Sequence, residues 1–152
     1  MADSILGTKI VTQIGILVHD IEKTAQEWAD FFGIEKPKII VTDTVDIAQT
    51  EYRGAKTPAR AKLAFIEAGQ LMIELIEPDH EPSTWREYLD QHGEGPHHIA
   101  FVIDGMKEKV MLLEGRGMPL LQKGEYTGGR YAYMDTFPQL KVIVDLLEND
   151  KK

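Results

Sequence analysis

The chain has 152 residues, 43% of them hydrophobic and 28% charged, a balance ordinary for one globular domain with a sizeable core. Acidic side chains outnumber basic ones 25 to 17, a net charge of −8 that argues against a nucleic-acid partner. There is no cysteine, which excludes disulfides, thiol catalysis and thiolate metal sites.

No run of about 18 apolar residues and no basic-then-apolar leader is visible, so the expectation is a cytoplasmic protein with no membrane partner. Residues 9–18 read as a strand. Asp20 is placed to cap a helix whose Ile21, Ala25, Trp28 and Phe32 recur at helical spacing and are expected in the core, with Gly33 ending it. Residues 38–41 read as a strand, and 42–60 as a loop or irregular strand. Residues 62–67 and 70–77 read as a hairpin about Ala68-Gly69. Pro78 to Pro82 punctuates the chain. A short helix over 83–91 follows, with Ser83 as cap, Glu87 near the capping-box position and Trp85 covering the junction between halves.

After Gly93-Glu-Gly-Pro96 the order repeats. Residues 97–103 form a strand, Asp104 opens a helix ending near Gly115 to Gly117, 119–122 form a short strand, and 130–135 with 141–148 form a hairpin after the Gly128-Gly129 turn. The pattern is strand, helix and three strands, twice. Module one spans about 9–78, the linker helix about 83–92 and module two about 97–148, all within one domain, 1–152.

The duplication is sharpest at 71–78 (LMIELIEP) and 142–149 (VIVDLLEN), strand-like runs with a carboxylate, Glu74 or Asp145, at the same internal place. Burying a carboxylate in such a run costs several kcal/mol unless a cation or hydrogen bonds meet it. The first strands of the halves align Gln13-Ile-Gly-Ile with His98-Ile-Ala-Phe. Strand alternation sends Gln13, Glu74, His98 and Asp145 away from the helix-facing side of four strands. His97 is expected to point opposite to His98 and flank the site. The four side chains offer an amide oxygen, two carboxylates and an imidazole, a donor set suited to one divalent ion such as Zn²⁺, Ni²⁺, Co²⁺, Mn²⁺ or Fe²⁺.

At these residues the sequence resembles the vicinal oxygen chelate superfamily, which includes glyoxalase I, methylmalonyl-CoA epimerase, extradiol dioxygenases and bleomycin-resistance proteins. The likeness is carried by Gln13-Ile-Gly-Ile-Leu-Val-His-Asp20, Glu74-Leu-Ile-Glu-Pro78, Gly95-Pro-His-His-Ile-Ala-Phe101 and Val142-Ile-Val-Asp-Leu-Leu147. The His-His-Ile-Ala string and the Gly128-Gly-Arg130 loop are most similar to methylmalonyl-CoA epimerase. The resemblance implies an α+β fold of two tandem βαβββ modules forming a curved, partly open mixed sheet with helices outside. It also implies metal ligands at Gln13, Glu74, His98 and Asp145, and a homodimer.

The function implied is a metal-dependent isomerase, epimerase or glyoxalase-type lyase. It stabilises the enolate of a small 2-oxo, acyl-CoA or thiol-adduct substrate, with Asp145 or Glu74 as the candidate base. The epimerases usually have His where Gln13 stands, although animal-type glyoxalase I has Gln there. Both usually have Glu where Asp145 stands, one methylene longer. Tyr52, Arg53 and Arg130 are candidates to hold substrate carboxylate or phosphate. The alternative is a non-catalytic module that sequesters a small molecule in the same concavity.

Overall fold

The computed structural model describes residues 4–151. Ten strands form one mixed, curled sheet in the order β2-β5-β6-β1-β7-β10-β9-β8-β3-β4. In chain order the elements are β1 (Gln13–Leu17), α1 (Ile21–Phe32), β2 (Ile40–Val41), α2 (Val45–Ala48), β3 (Glu51–Tyr52), β4 (Ala55–Lys56), β5 (Ala61–Ala68) and β6 (Leu71–Pro78). The helix α3 (Thr84–His92) then leads to β7 (Gly95–Val102), α4 (Met106–Glu114), β8 (Leu120–Tyr126), β9 (Gly129–Met134), α5 (Phe137–Leu140) and β10 (Ile143–Asn149).

The repeat is preserved in register. In each half the first strand runs parallel to the last. Gln13 pairs with Met72, two residues before Glu74, and His98 pairs with Ile143, two residues before Asp145. The halves meet through antiparallel β1 and β7.

Each face of the sheet has its own packing. On the outer face α1 covers Ile66, Ile73 and Leu75, while α4 covers Met134, Val144 and Leu146. On the inner face α3 inserts Trp85 and Leu89 among Leu17, Ile76, Leu121 and Tyr133. Trp85 Nε1 donates to the Tyr133 hydroxyl at 3.0 Å, so the linker helix does sit over the junction between halves. Ser83 caps α3 by accepting from Arg86 N at 3.0 Å.

Several local expectations are corrected. Glu87 does not complete a capping box; its carboxylate accepts instead from Tyr52 and Arg53. The cap of α4 is Gly105 in the left-handed region, not Asp104. Of the α1 stripe, Ile21, Ala25 and Ala29 are buried, whereas Phe32 lies at the surface in a ring cluster with Trp28 and Phe31. The stretch 42–60 is more ordered than a loop. It leaves the β2 edge, forms α2 and the β3–β4 hairpin, and pairs β3 with β8 at the far edge of the sheet.

This crossing strap is tied down at three places. The Tyr52 hydroxyl donates to Glu87, Arg53 adds a 2.7 Å bond to the same carboxylate, and Thr57 Oγ1 donates to Pro82 O at 2.7 Å. Burial raises the Glu87 pKa, but the bonds from Tyr52 and Arg53 outweigh it, and the net shift is downward from 4.5. An acid with a lowered folded value stabilises the fold above its unfolded pKa and loses that contribution as pH falls through the lowered value. Tyr52→Phe is therefore expected to cost about 1 kcal/mol at pH 7 in urea denaturation. The gap to the parent should narrow as the pH drops below 4. A variant as stable as the parent at pH 7 would contradict this account of the strap.

Candidate active site

Two cross-strand rows on the inner face carry the site. The first runs Phe65, Glu74, Gly15, His98 and Ile143. The second runs Met72, Gln13, Ala100, Asp145, Tyr133 and Gln122. Each acid is thus separated from its partner donor by one small residue: Gly15 between Glu74 and His98, Ala100 between Asp145 and Gln13.

Glycine at 15 is a steric requirement. A Cβ built there falls 2.6 Å from His98 Nε2 and nearer still to Cε1, because the imidazole lies across β1 in the space a side chain would fill. That lean brings His98 Nε2 to 3.3 Å from Glu74 Oε1 and 3.6 Å from Asp145 Oδ2. The shorter Asp145 therefore does reach the histidine. Gln13 is half-buried in the neighbouring row.

All three convergent groups are buried, and His98 has no exposed surface. Burial pushes the Asp145 carboxyl well above the usual carboxylate range, and the nearby Glu74 charge pushes the same way. The nearby Ala132 backbone opposes that rise without reversing it. His98 Nε2 and Asp145 Oδ1 have no hydrogen-bond partner among the described residues. An unpartnered buried polar atom costs about 1–3 kcal/mol, and two of them side by side mark a place shaped for something else.

A divalent ion fits that place. Two donors bound to one ion at about 2.1 Å, at an angle between square and tetrahedral, lie about 3.0–3.4 Å apart. The separations from His98 Nε2 are of that size, and a few tenths of an ångström of movement by Asp145 closes the difference. Among the described residues no group of three or more His, Cys, Asp or Glu side chains has all its donors already in position to hold a metal. The fit rests on the unpartnered atoms and on the mixed set of imidazole, carboxylates and the Gln13 amide.

His97 is corrected most. β7 carries a bulge: Gly15 pairs with His98 but Ile16 pairs with Pro96, leaving His97 as the extra residue. A bulge turns two successive side chains toward the same side. His97 is accordingly buried on the inner face, its Nδ1 2.9 Å from His98 Nδ1. Tyr133 packs against both imidazoles, with ring centroids 5.2 and 4.9 Å away. His97 flanks the site as expected but from the inner face, while Gly15 and Tyr133 escaped sequence reasoning as site residues, although the glycine two residues after an expected ligand position was a visible signal.

The expected substrate contacts fare differently. Tyr52 pairs with Gln122, at the far end of the second row, with its hydroxyl given to Glu87. Arg53 serves the same carboxylate. Arg130 pairs with Glu148 on the outer face, opposite to Asp145, and is held by Glu148, Asp150 and Glu125. Its guanidinium is thus turned away from the site. Tyr126, whose hydroxyl is pushed up to about 12 by burial and by the Asp145 charge, pairs with Gly129 and so shares the inner face with Asp145, which Arg130 does not.

Gly15→Ala must move the His98 ring or open β1. It should destabilise the protein by about 1–3 kcal/mol in chemical denaturation, the range for overpacking, and shift the His98 ring resonances. Unchanged stability with unchanged resonances would show that the imidazole does not lie over position 15.

Comparisons with known proteins agree with this architecture. The family model for the Glyoxalase/Bleomycin resistance protein/Dioxygenase superfamily matches residues 12–133. The uncharacterized protein YqjC of Bacillus subtilis (strain 168) is 29% identical over 92 residues, covering 59% of this chain and just under two thirds, 66%, of that protein. Among solved structures, a hypothetical protein from Bacillus halodurans C-125 superposes with a TM-score of 0.63 at 20% identity, covering 93% of this chain and 95% of the other. Methylmalonyl-CoA epimerase from Mycobacterium tuberculosis gives 0.63 at 18%, covering 99% and 93%. A variant of Streptomyces coelicolor methylmalonyl-CoA epimerase, in complex with 2-nitronate-propionyl-CoA, gives 0.62 at 20%, covering 93% and 97%. At these identities the structures establish the shared fold, and the family match establishes membership: this chain belongs to the Glyoxalase/Bleomycin resistance protein/Dioxygenase superfamily.

Proposed function

We propose that the protein is a divalent-metal-dependent isomerase or epimerase, with glyoxalase-type lyase chemistry as its near neighbour, acting next to a carbonyl in a small 2-oxo or acyl-thioester substrate. The observation that carries this is the unpartnered His98 Nε2 beside Glu74 and Asp145. Glu74, His98, Asp145 and Gln13 would hold the ion. When bound, a divalent ion supplies Lewis acidity that lowers the cost of negative charge developing on a substrate carbonyl oxygen.

The chain's own groups do the rest. Asp145 is the candidate to take and return the proton, because its carboxylate stands beside His98 on the inner face with one oxygen unpartnered. Glu74 is the second candidate, on the other side of His98. Tyr133, Ile143 and α3 pack over one end of the inner face, while Gln13 and Met72 at the other are only half-buried. The methylmalonyl-CoA epimerases that share the fold make an acyl-CoA thioester one substrate class to test.

Protein purified without chelator should carry roughly one divalent ion per chain, as in a three- or four-ligand site, and His98→Ala should abolish it. The loaded protein should exchange the proton next to the carbonyl of at least one 2-oxo acid or acyl-CoA thioester for solvent deuterium. Asp145→Asn should slow that exchange by about 10²–10⁴-fold, the usual scale of a general base. Metal uptake without exchange across a broad panel would turn the reading toward a small-molecule binding module, and absence of metal in the parent would refute it.

A further inference from the structure

His97 lies outside the donor set, yet its ring is held on every side. Its ring is edge-on to Tyr88 at 5.3 Å and to Tyr133 at 5.2 Å, so it has no freedom to turn. Both ring nitrogens are engaged: Nδ1 faces His98 Nδ1 at 2.9 Å, and Nε2 faces Thr84 Oγ1 at 3.2 Å. Thr84 opens α3 and is itself fixed, since its backbone N–H donates to Gln122 Oε1 at 2.8 Å. Gln122 Nε2 in turn donates to the Tyr131 hydroxyl at 3.0 Å. His97, Thr84 and Gln122 are all buried.

The proton count along this chain is constrained. Two imidazole nitrogens 2.9 Å apart have room for one proton between them. If His98 Nε2 is to offer a lone pair to a cation, the ring's proton must sit on Nδ1. His97 Nδ1 must then accept it. The proton of a neutral His97 is left on Nε2, directed at Thr84 Oγ1, which accepts. One choice at His98 fixes the tautomer of both rings.

We propose that His97, seated against Thr84, is a positioning residue for His98: it accepts the Nδ1 proton of His98 and so turns the Nε2 lone pair toward Glu74 and Asp145. This rests on the reading of that space as a cation site. Metal-bound histidines commonly give their second N–H to a carboxylate or a carbonyl. A neutral imidazole suits this site better than a third acid. Glu74 and Asp145 already balance a divalent ion, and another carboxylate behind His98 would leave a net buried negative charge. The bulge at His97 is the backbone device that makes the arrangement possible, because on a regular strand the two rings would face opposite sides of the sheet.

The test uses Zn²⁺ and three variants of the full chain, with affinity measured by competition against a chromophoric chelator. His97→Phe keeps a ring in the cavity but removes the acceptor, and should weaken Zn²⁺ binding about 10–100-fold, the usual effect of losing such a partner. His97→Gln, whose amide oxygen can accept the same proton, should recover most of that loss. Thr84→Val keeps the shape of the side chain and should weaken binding several-fold by releasing His97. Nitrogen-15 ring spectra of the Zn²⁺-loaded parent should show His98 protonated at Nδ1 and His97 at Nε2. The proposal is overturned if His97→Phe binds as tightly as the parent, if His97→Gln is as weak as His97→Phe, or if His97 carries its proton on Nδ1. Should His97→Phe fail to fold, the spectra and Thr84→Val decide. A parent that takes up no Zn²⁺ removes the cation site and the proposal with it. A parent that binds while all three variants match it removes only the role of His97.

Discussion

The imidazole of His98 lies where a side chain at position 15 would stand, and the site depends on that substitution of ring for side chain. Glu74 and His98 occupy strands on either side of β1, with position 15 between them. A residue with a Cβ there would keep the two apart. With glycine, the ring crosses β1 and its Nε2 arrives beside both carboxylates. Duplication supplies the second acid at the matching register position, and Ala100 gives the second row the small spacer that Gly15 gives the first.

This arrangement opposes folding locally. A buried acid with a raised pKa, a second acid beside it and two unpartnered polar atoms each cost free energy. The compensation lies in the packing. The outer face has two apolar clusters under α1 and α4, and the inner face has a third, into which α3 packs Trp85 and Leu89. The strap over 42–60 adds a mechanical link, carrying chain from one edge of the sheet to the other and bonding Tyr52 and Arg53 to α3. Stability comes from apolar packing around the acids rather than from bonds made by them, which leaves the acids shaped for a ligand rather than for the fold.

Much of this was legible in the residues, for identifiable reasons. The repeat could be read because a carboxylate at the same place in two apolar runs is rare, and strand alternation then put Gln13, Glu74, His98 and Asp145 on one face. What escaped depends on hydrogen bonding between distant strands. Nothing in Pro96-His97-His98 announces the bulge, since it is fixed by how β7 pairs with β1; alternation applied to His97 therefore gave the wrong face. The polar stretch 42–60 carries two-residue strands, too short for any periodicity, and its pairing partner lies in the other half. Arg130 looked free after a glycine pair, but its three acidic partners come from β8, β10 and the residues beyond, and its register places it on the outer face. Short, local signals put the four candidate donors on one face, while long-range register decided what surrounds them.

The most direct measurement of the central claim is an anomalous difference map from crystals grown with Mn²⁺ or Zn²⁺. The account predicts one strong peak about 2.0–2.3 Å from His98 Nε2 and from a carboxylate oxygen of both Glu74 and Asp145, with the Gln13 amide close by. A map that is flat there, or whose peak touches only one of those three side chains, would contradict it.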